Sequence, residues 1–227
     1  MHVLAIVAGT NDPSNCDYLA DVFLRTLEQE GATTEKIRLK DLSIAHFTLE
    51  HYREDFPHEP DLLLVRDALE RATGVLIATP VWNFGVPGHL KNLIDRLGSF
   101  ALDAATRSRG QFKGKPFSLL FTGGVPAPGW HALQRKTTSF LPQGLRYFGA
   151  YPAGSFYEGS CIPGRGKFGL VVEKRPETLR RTERAAKAFA ATVRTYERTG
   201  VPPMRHRIFS AGMRFGEVLL KKFSRAR

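Results

Sequence analysis

Three features of this sequence predict a doubly wound α/β fold, a parallel five-stranded sheet in the order 2-1-3-4-5 with helices on both faces. Strand-like and helix-like patterns alternate five times along the chain, as repeated βαβ units require. The first and third strand runs, Val3–Ala8 and Thr73–Thr79, are short and apolar, which marks strands covered on both faces. Loops of distinctive composition follow the first, third and fourth strand runs, and in that order these strand ends are neighbours at the carboxyl edge, where open α/β sheets bind ligands. The 227 residues suffice for one large domain, expected over 1–200, with 201–227 as a basic amphipathic, helical carboxyl-terminal extension.

Val3–Ala8 reads as the first strand and Tyr18–Glu30 as the first helix, with Leu19, Val22, Phe23 and Leu27 at helical spacing. Between them, Gly9-Thr10-Asn11-Asp12-Pro13-Ser14-Asn15-Cys16 puts small polar residues at a helix amino end, where unpaired N–H groups and the helix dipole favour a phosphate. Ser14, Asn15 and Cys16 are candidate backbone donors, joined by the Thr10 and Ser14 hydroxyls; the simpler alternative is a helix cap at Ser14 or Asn15. Cys16 is either an activated thiol or, the preferred reading, a small buried apolar residue. Thr33–Leu39 is the second strand. The long connection from Asp41 to Pro60 contains His46, His51 and His58, whose spacing suits surface histidines better than metal ligands. Asp61–Ala72 is the second helix.

Thr73–Thr79 is the third buried strand, and Pro80 marks its end. Pro80 and Pro87 bracket Val81, Trp82, Asn83, Phe84, Gly85 and Val86, and the helix beyond them, ending near Phe100, carries Leu90, Leu93, Ile94 and Leu97 on one face. A loop stiffened by prolines and holding two large aromatics suits a planar polar ligand. Ala101–Lys115, with Arg107, Arg109, Lys113 and Lys115, reads as a solvated connection. Pro116–Thr122 is the fourth strand, followed at once by Gly123 and Gly124, which allow backbone to approach a ligand closely. Trp130–Phe148 is a helix interrupted by Pro142, and Tyr151–Tyr157 is the fifth strand. Gly159–Gly169 is either an exposed hairpin or a basic loop offering Arg165 and Lys167 to a nucleotide phosphate. Thr178–Thr199 is an amphipathic helix closed by Gly200.

The net charge of +11 fits an acidic partner, a membrane surface or an anionic cofactor, and no zinc-finger or nucleic-acid signature accompanies it. Cys16 and Cys161 are far apart and form no metal or redox spacing, so neither a metal nor a disulfide is expected. No apolar run approaches the ~20 residues of a bilayer span, and a cytoplasmic location is expected. From Arg205 onward, seven Lys and Arg residues face only Glu217, beside an apolar set that includes Ile208, Phe215 and Leu219. This tail is expected to dock on protein, with peripheral membrane contact as the alternative.

Pro80, Trp82, Asn83, Pro87, Leu90, Lys91, Asn92, Ile94 and Asp95 follow the pattern P-x-[YW]-N-x-x-x-P-x-x-L-K-N-x-I-D. It resembles the isoalloxazine-binding loop and following helix of the flavodoxin-like NAD(P)H-dependent FMN reductases, quinone reductases and azoreductases. Weaker agreement covers roughly Met1 to Tyr157, and Trp82 stands where the family usually has Tyr. The resemblance implies bound FMN, NAD(P)H as co-substrate, hydride transfer through the flavin to a quinone, azo compound, flavin or similar small acceptor, and a homodimer. It implies cofactor contacts from Thr10, Ser14, Asn15, Cys16, Pro80, Val81, Trp82, Asn83, Phe84, Thr122, Gly123 and Gly124. Backbone amides around Asn83, Phe84, Gly123 and Gly124 would stabilise negative charge on the ring, and Phe47, Trp82, Phe84 and Trp130 would shape the acceptor pocket. His46, His51, Tyr52 and Phe56 are further neighbours. No side chain need act as acid or base, because the flavin carries the chemistry. The first loop follows the family less closely: Asp12 falls where Arg is frequent, so its carboxylate must turn away from a phosphate. The competing readings are a non-enzymatic flavin electron carrier and a flavin-binding interaction protein recruited by its basic tail.

Overall fold

The computed structural model describes residues 1–103, 110–164 and 167–202. Five parallel strands lie in the order β2-β1-β3-β4-β5: β1 is His2–Val7, β2 Thr33–Arg38, β3 Gly74–Pro80, β4 Pro116–Thr122 and β5 Tyr151–Glu158. The main helices are α1 (Asn15–Gln29), α2 (Pro60–Arg71), α3 (Gly88–Ala101), α4 (Phe140–Tyr147) and α5 (Pro176–Thr199). Among the described residues the expected strands and helices are present, apart from the one long helix expected over Trp130–Phe148, with ends moved by a residue or a turn. Helix α1 starts three residues earlier than its apolar spacing indicated, because its first turn is polar.

Alternation along the strands divides the core. Leu4, Ile6 and Ala8 of the β1 region, Val75 and Ile77 of β3, and Phe117, Leu119 and Phe121 of β4 face a layer built by α2, α3 and α4. Val3, Ala5 and Val7, with Leu76, Ala78 and Leu120, face α1 and α5 through Leu19, Phe23, Leu27, Phe189 and Val193. A strand with both faces covered is apolar at nearly every position, which is why β1, β3 and β4 read as near-continuous apolar runs, with Ser118 an interior exception. Edge strand β2 has one fully buried residue, Ile37, and its polar neighbours form an ion-pair ladder.

Two irregular stretches differ from expectation. The segment expected as the first part of one long helix is an α-helical turn at Ala127–Gly129, a π-helical stretch at Trp130–Gln134 and another turn at Arg135–Thr137, before α4 begins at Phe140. The break thus precedes Pro142, which sits in the first turn of α4, where a missing N–H costs no helical bond. The connection before β4, expected to be solvated, is partly core: Phe112 packs on Phe117 and Phe148 at centroid distances of 5.5 and 6.2 Å. The Lys115 ammonium donates to the Leu69 carbonyl at the end of α2, and burial pushes its pKa down to about 8. Arg107, Arg109, Arg165 and the tail from Arg205 lie outside the described residues.

Candidate functional site

Three loops leave adjacent strand ends at one edge of the sheet. The Ala8 amide donates to the Ala78 carbonyl (2.8 Å), and the Val81 amide donates to the Thr122 carbonyl (2.7 Å). Loops after β1, β3 and β4 are therefore rooted side by side, over about 10 Å at ~4.8 Å per strand, and the switch point lies between β1 and β3.

The loop after β3 is a tight turn. Trp82 and Gly85 exchange both backbone hydrogen bonds at 2.8 Å, while Asn83 (φ 48°) and Phe84 (φ 65°) lie in the left-handed region. Two central residues with positive φ define the primed type I turn. Asn tolerates that conformation; a bulky aromatic does not, and such outliers concentrate at ligand sites. The turn's own bonds leave the Asn83 and Phe84 amides unused, and neither has a backbone partner among the described residues. Thr137 holds the turn from the π-helical side by donating its hydroxyl to the Phe84 carbonyl. Phe84 is 60% exposed and Trp82 38%, with Trp82 lying 5.5 Å from Phe168. Pro80 is the last residue of β3, in register with Thr122. Pro87 is the N-cap of α3, one residue before its first turn.

In the loop after β1, Ser14 occupies the N-cap position of α1, yet its hydroxyl makes no capping bond and lies 3.2 Å from the Cys16 sulfur. The first-turn amides of α1 have no carbonyl partner within the helix, as at any helix start. Gly9 abuts this cap: a Cβ there would meet the Ser14 oxygen at 2.4 Å. Asp12 points away, accepting from Arg38 at 2.5 Å and from Lys40, whose hydrogen bond holds the carboxyl below the usual range. Thr10 is exposed. Cys16 is fully buried, and burial pushes its thiol up to about 12, so it is an inert apolar residue at neutral pH.

Other expected contact residues are engaged within this chain. The Asn15 side chain is a frame element: it donates to Gly169 O (2.8 Å) and Cys161 O and accepts from the Val171 and Val172 amides. The Val81 amide is engaged by Thr122, and the Gly123 amide donates to the Glu158 carbonyl at 3.0 Å, so neither N–H can face a ring. Thr122 itself is buried in β4. The faces of Gly123 and Gly124 meet this chain's own side chains, Tyr157 and Ile162. Trp130 is a core residue, 4% exposed and stacked on Tyr157 at 4.6 Å, so its ring does not line an open pocket. Phe47 is half-buried against Tyr52 at 5.2 Å. His51 is buried with its Nδ1 against Thr48.

Reading the sequence also missed a clamp. Asn92 accepts from the Phe47 amide (2.8 Å) and donates to the Ala45 carbonyl (3.0 Å). Arg96 is fully buried, donating to Ala45 O (2.8 Å) and to both oxygens of Glu59, one at 2.9 Å. This pair pins the long connection before α2 to α3, next to the aromatic turn. His89, in the first turn of α3, was also missed; burial lowers its pKa, and the Ala8 backbone lies against it.

The family model described as NADPH-dependent FMN reductase matches residues 1–155. A curated iron-sulfur flavoprotein of Archaeoglobus fulgidus is 24% identical over 202 residues, covering 84% of this chain and 97% of that protein. The two cysteines here are fewer than the four that such clusters usually take. Among solved structures, an NAD(P)H:quinone oxidoreductase from Methanothermobacter marburgensis superposes with a TM-score of 0.64 at 19% identity, covering 83% of this chain and 96% of that one. An FMN-dependent NADH-azoreductase from Bacillus anthracis, solved with FMN, gives 0.59 at 16%, covering 84% and 100%. These structural likenesses establish the flavodoxin-like fold, and no described helix is long and apolar enough to cross a membrane. The family model covers well over half of the chain, which therefore belongs to the NADPH-dependent FMN reductase family and is an NAD(P)H-dependent FMN oxidoreductase.

Proposed function

We propose that this enzyme passes hydride equivalents from NAD(P)H, by way of FMN, to a small planar acceptor such as a quinone, an azo compound or a free flavin. The observation that carries this reading is the Trp82–Gly85 turn, which sets two aromatic side chains and two unengaged amides at the switch point beside the open amino end of α1. When bound, FMN supplies the hydride chemistry. The residues fit that cofactor. The first-turn amides of α1 and the Ser14 hydroxyl would hold the phosphate, and Asp12 is drawn away from it by Arg38 and Lys40. The Asn83 and Phe84 amides would face the polar edge of the ring, while Trp82 and Phe84 would shape the space where nicotinamide and acceptor alternate. Trp82 and Phe84 are exposed in this turn, with exposed Phe168 beside Trp82 and exposed Ile162 beside Gly124, and this apolar surface supports a homodimer in which a second copy covers it.

The test is an equilibrium titration of the folded protein with FMN, followed by NAD(P)H and a quinone. Saturable binding near one flavin per chain and sustained NAD(P)H consumption are expected. Folded protein that binds no FMN would overturn the reading; flavin binding without turnover would move it to an electron carrier.

A further inference from the structure

Strand β5 ends at Glu158, one strand beyond the Gly123 turn, and the amino-terminal half of α5 packs over this end. Here a surface groove of about 550 Å³ is lined by Glu158, Glu177, Thr178, Arg180, Arg181 and Arg184. The arginines differ in what they do. Arg181 donates to Glu158 and lies 5.8 Å from the Phe156 ring centroid. Arg175 and Thr178 each reach Glu158 at 3.0 Å. Glu158 is thus buried and neutralised by groups that secure α5 to β5. Arg180 and Arg184 are exposed, stand one helical turn apart, and have no ion pair or hydrogen bond among the described residues. Like charges at i and i+4 slightly destabilise a helix, so folding gives no reason for this pair.

We propose that Arg180 and Arg184 bind a phosphate monoester, the 2′-phosphate that distinguishes NADPH from NADH. This inference rests on the reading that NAD(P)H is taken at the neighbouring loops. Side chains at i and i+4 have Cβ atoms ~6 Å apart, so two guanidinium forks can bracket one dianion with charge-assisted bonds. Glu177 opposes an anion, but three lining arginines against two carboxylates leave the groove positive. The placement suits a dinucleotide: the Gly123 amide bonds the Glu158 carbonyl at 3.0 Å, so the groove begins about one strand spacing from the flavin loops, on the same edge. A nucleotide with its nicotinamide at the Trp82–Gly85 turn can run its adenosine end across β4 and β5 to α5.

The test is calorimetric titration of the full chain with 2′,5′-ADP and with 5′-AMP, in the wild type and in the double variant Arg180→Ala/Arg184→Ala. Both side chains are exposed, so the variant should fold. The bisphosphate should bind at least about tenfold more tightly, with the difference lost in the variant and reduced by salt. In turnover, KM for NADPH should rise in the variant while KM for NADH and FMN affinity stay unchanged. Equal binding of the two nucleotides, discrimination that survives the substitutions, or competition by inorganic phosphate as strong as by 2′,5′-ADP would each overturn the proposal. Wild-type protein that binds FMN and turns over NADH and NADPH with equal KM overturns this inference alone; failure to bind FMN overturns the functional reading beneath it.

Discussion

Phe84 is the residue at which stability and function should separate. Its φ of 65° places a bulky side chain in the left-handed region, and its ring is 60% exposed, so little burial repays the strain. Left-handed backbone costs a non-glycine residue roughly 1–2 kcal/mol, whereas glycine adopts it freely but adds ~0.4–1 kcal/mol of unfolded-chain entropy. Phe84→Gly should therefore leave stability unchanged or raise it by up to about 1 kcal/mol. Phe84→Ala keeps the strain and loses the ring's contacts, so it should be about 1 kcal/mol less stable than Phe84→Gly, or ~2–4 °C lower in Tm for a domain of this size. The Thr137 bond to the Phe84 carbonyl is available in both variants, which makes the comparison a test of backbone conformation. Urea unfolding without flavin measures stability, and KM for a quinone measures the ring's role. Both variants should raise KM equally. Phe84→Gly less stable than Phe84→Ala would refute the strain argument, and an unaltered KM in both would refute the aromatic role.

Ser14→Asp keeps a good N-cap residue but sets a carboxylate at the proposed phosphate position; FMN affinity should fall well beyond the ~1 kcal/mol of one neutral hydrogen bond, with riboflavin much less affected, as a paired fluorescence titration would show. Arg96→Met removes one partner of a buried pair and should cost about 3–5 kcal/mol in urea unfolding, with the turns at Leu39–Asp41 and Leu49–Tyr52 becoming more open to hydrogen exchange. The Glu59 carboxyl is held at about 2 by the Arg96 hydrogen bond, against 4.5 when unpaired. Its contribution is thus present above about pH 4.5 and lost as pH falls towards 2; Glu59→Gln should flatten that part of the acid-stability curve, and an unchanged curve would count against the pair.

Strand order and edge were legible because burial on both faces leaves an unambiguous apolar run, and three such runs, β1, β3 and β4, end in the loops that matter. The aromatic loop was legible as a stiff segment from its prolines and aromatics. Its backbone was not, because positive φ at Phe84 contradicts the residue's local preference and depends on Thr137, 53 positions away. The same holds for the amides. Thr122, Gly123 and Val81 look alike in sequence as strand-end donors, yet pairing between β3, β4 and β5 engages the Val81 and Gly123 amides, and register cannot be counted from one strand alone. Trp130 read as an acceptor-pocket aromatic after a glycine-rich turn; it stacks instead on Tyr157 of the next strand, β5, and is buried.

The polar and aromatic residues of the P-x-[YW]-N-x-x-x-P-x-x-L-K-N-x-I-D stretch divide into two roles that the pattern itself does not separate. Trp82 and Asn83 lie in the turn of the proposed site, whereas Asn92 and the following Arg96 bond to Phe47, Ala45 and Glu59. Lys91 and Asp95 pair with each other at 2.6 Å along the helix. Helical geometry accounts for the division: positions 92, 95 and 96 fall at i, i+3 and i+4, so they share one face, and that face meets the long connection before α2. Asn15 repeats the arrangement at α1, with its backbone at the phosphate loop and its side chain binding the segment after β5. The loops after β1 and β3 are thus each followed by a helix whose early Asn side chain holds a separate, irregular segment beside the proposed site. Loops with little core of their own stay in place only where such bonds are made, and here the residues that make them belong to the same short motifs that present the ligand groups. A substitution at Asn92 or Asn15 should therefore act through the position of a neighbouring segment, altering acceptor and cofactor affinity without removing a contact to either.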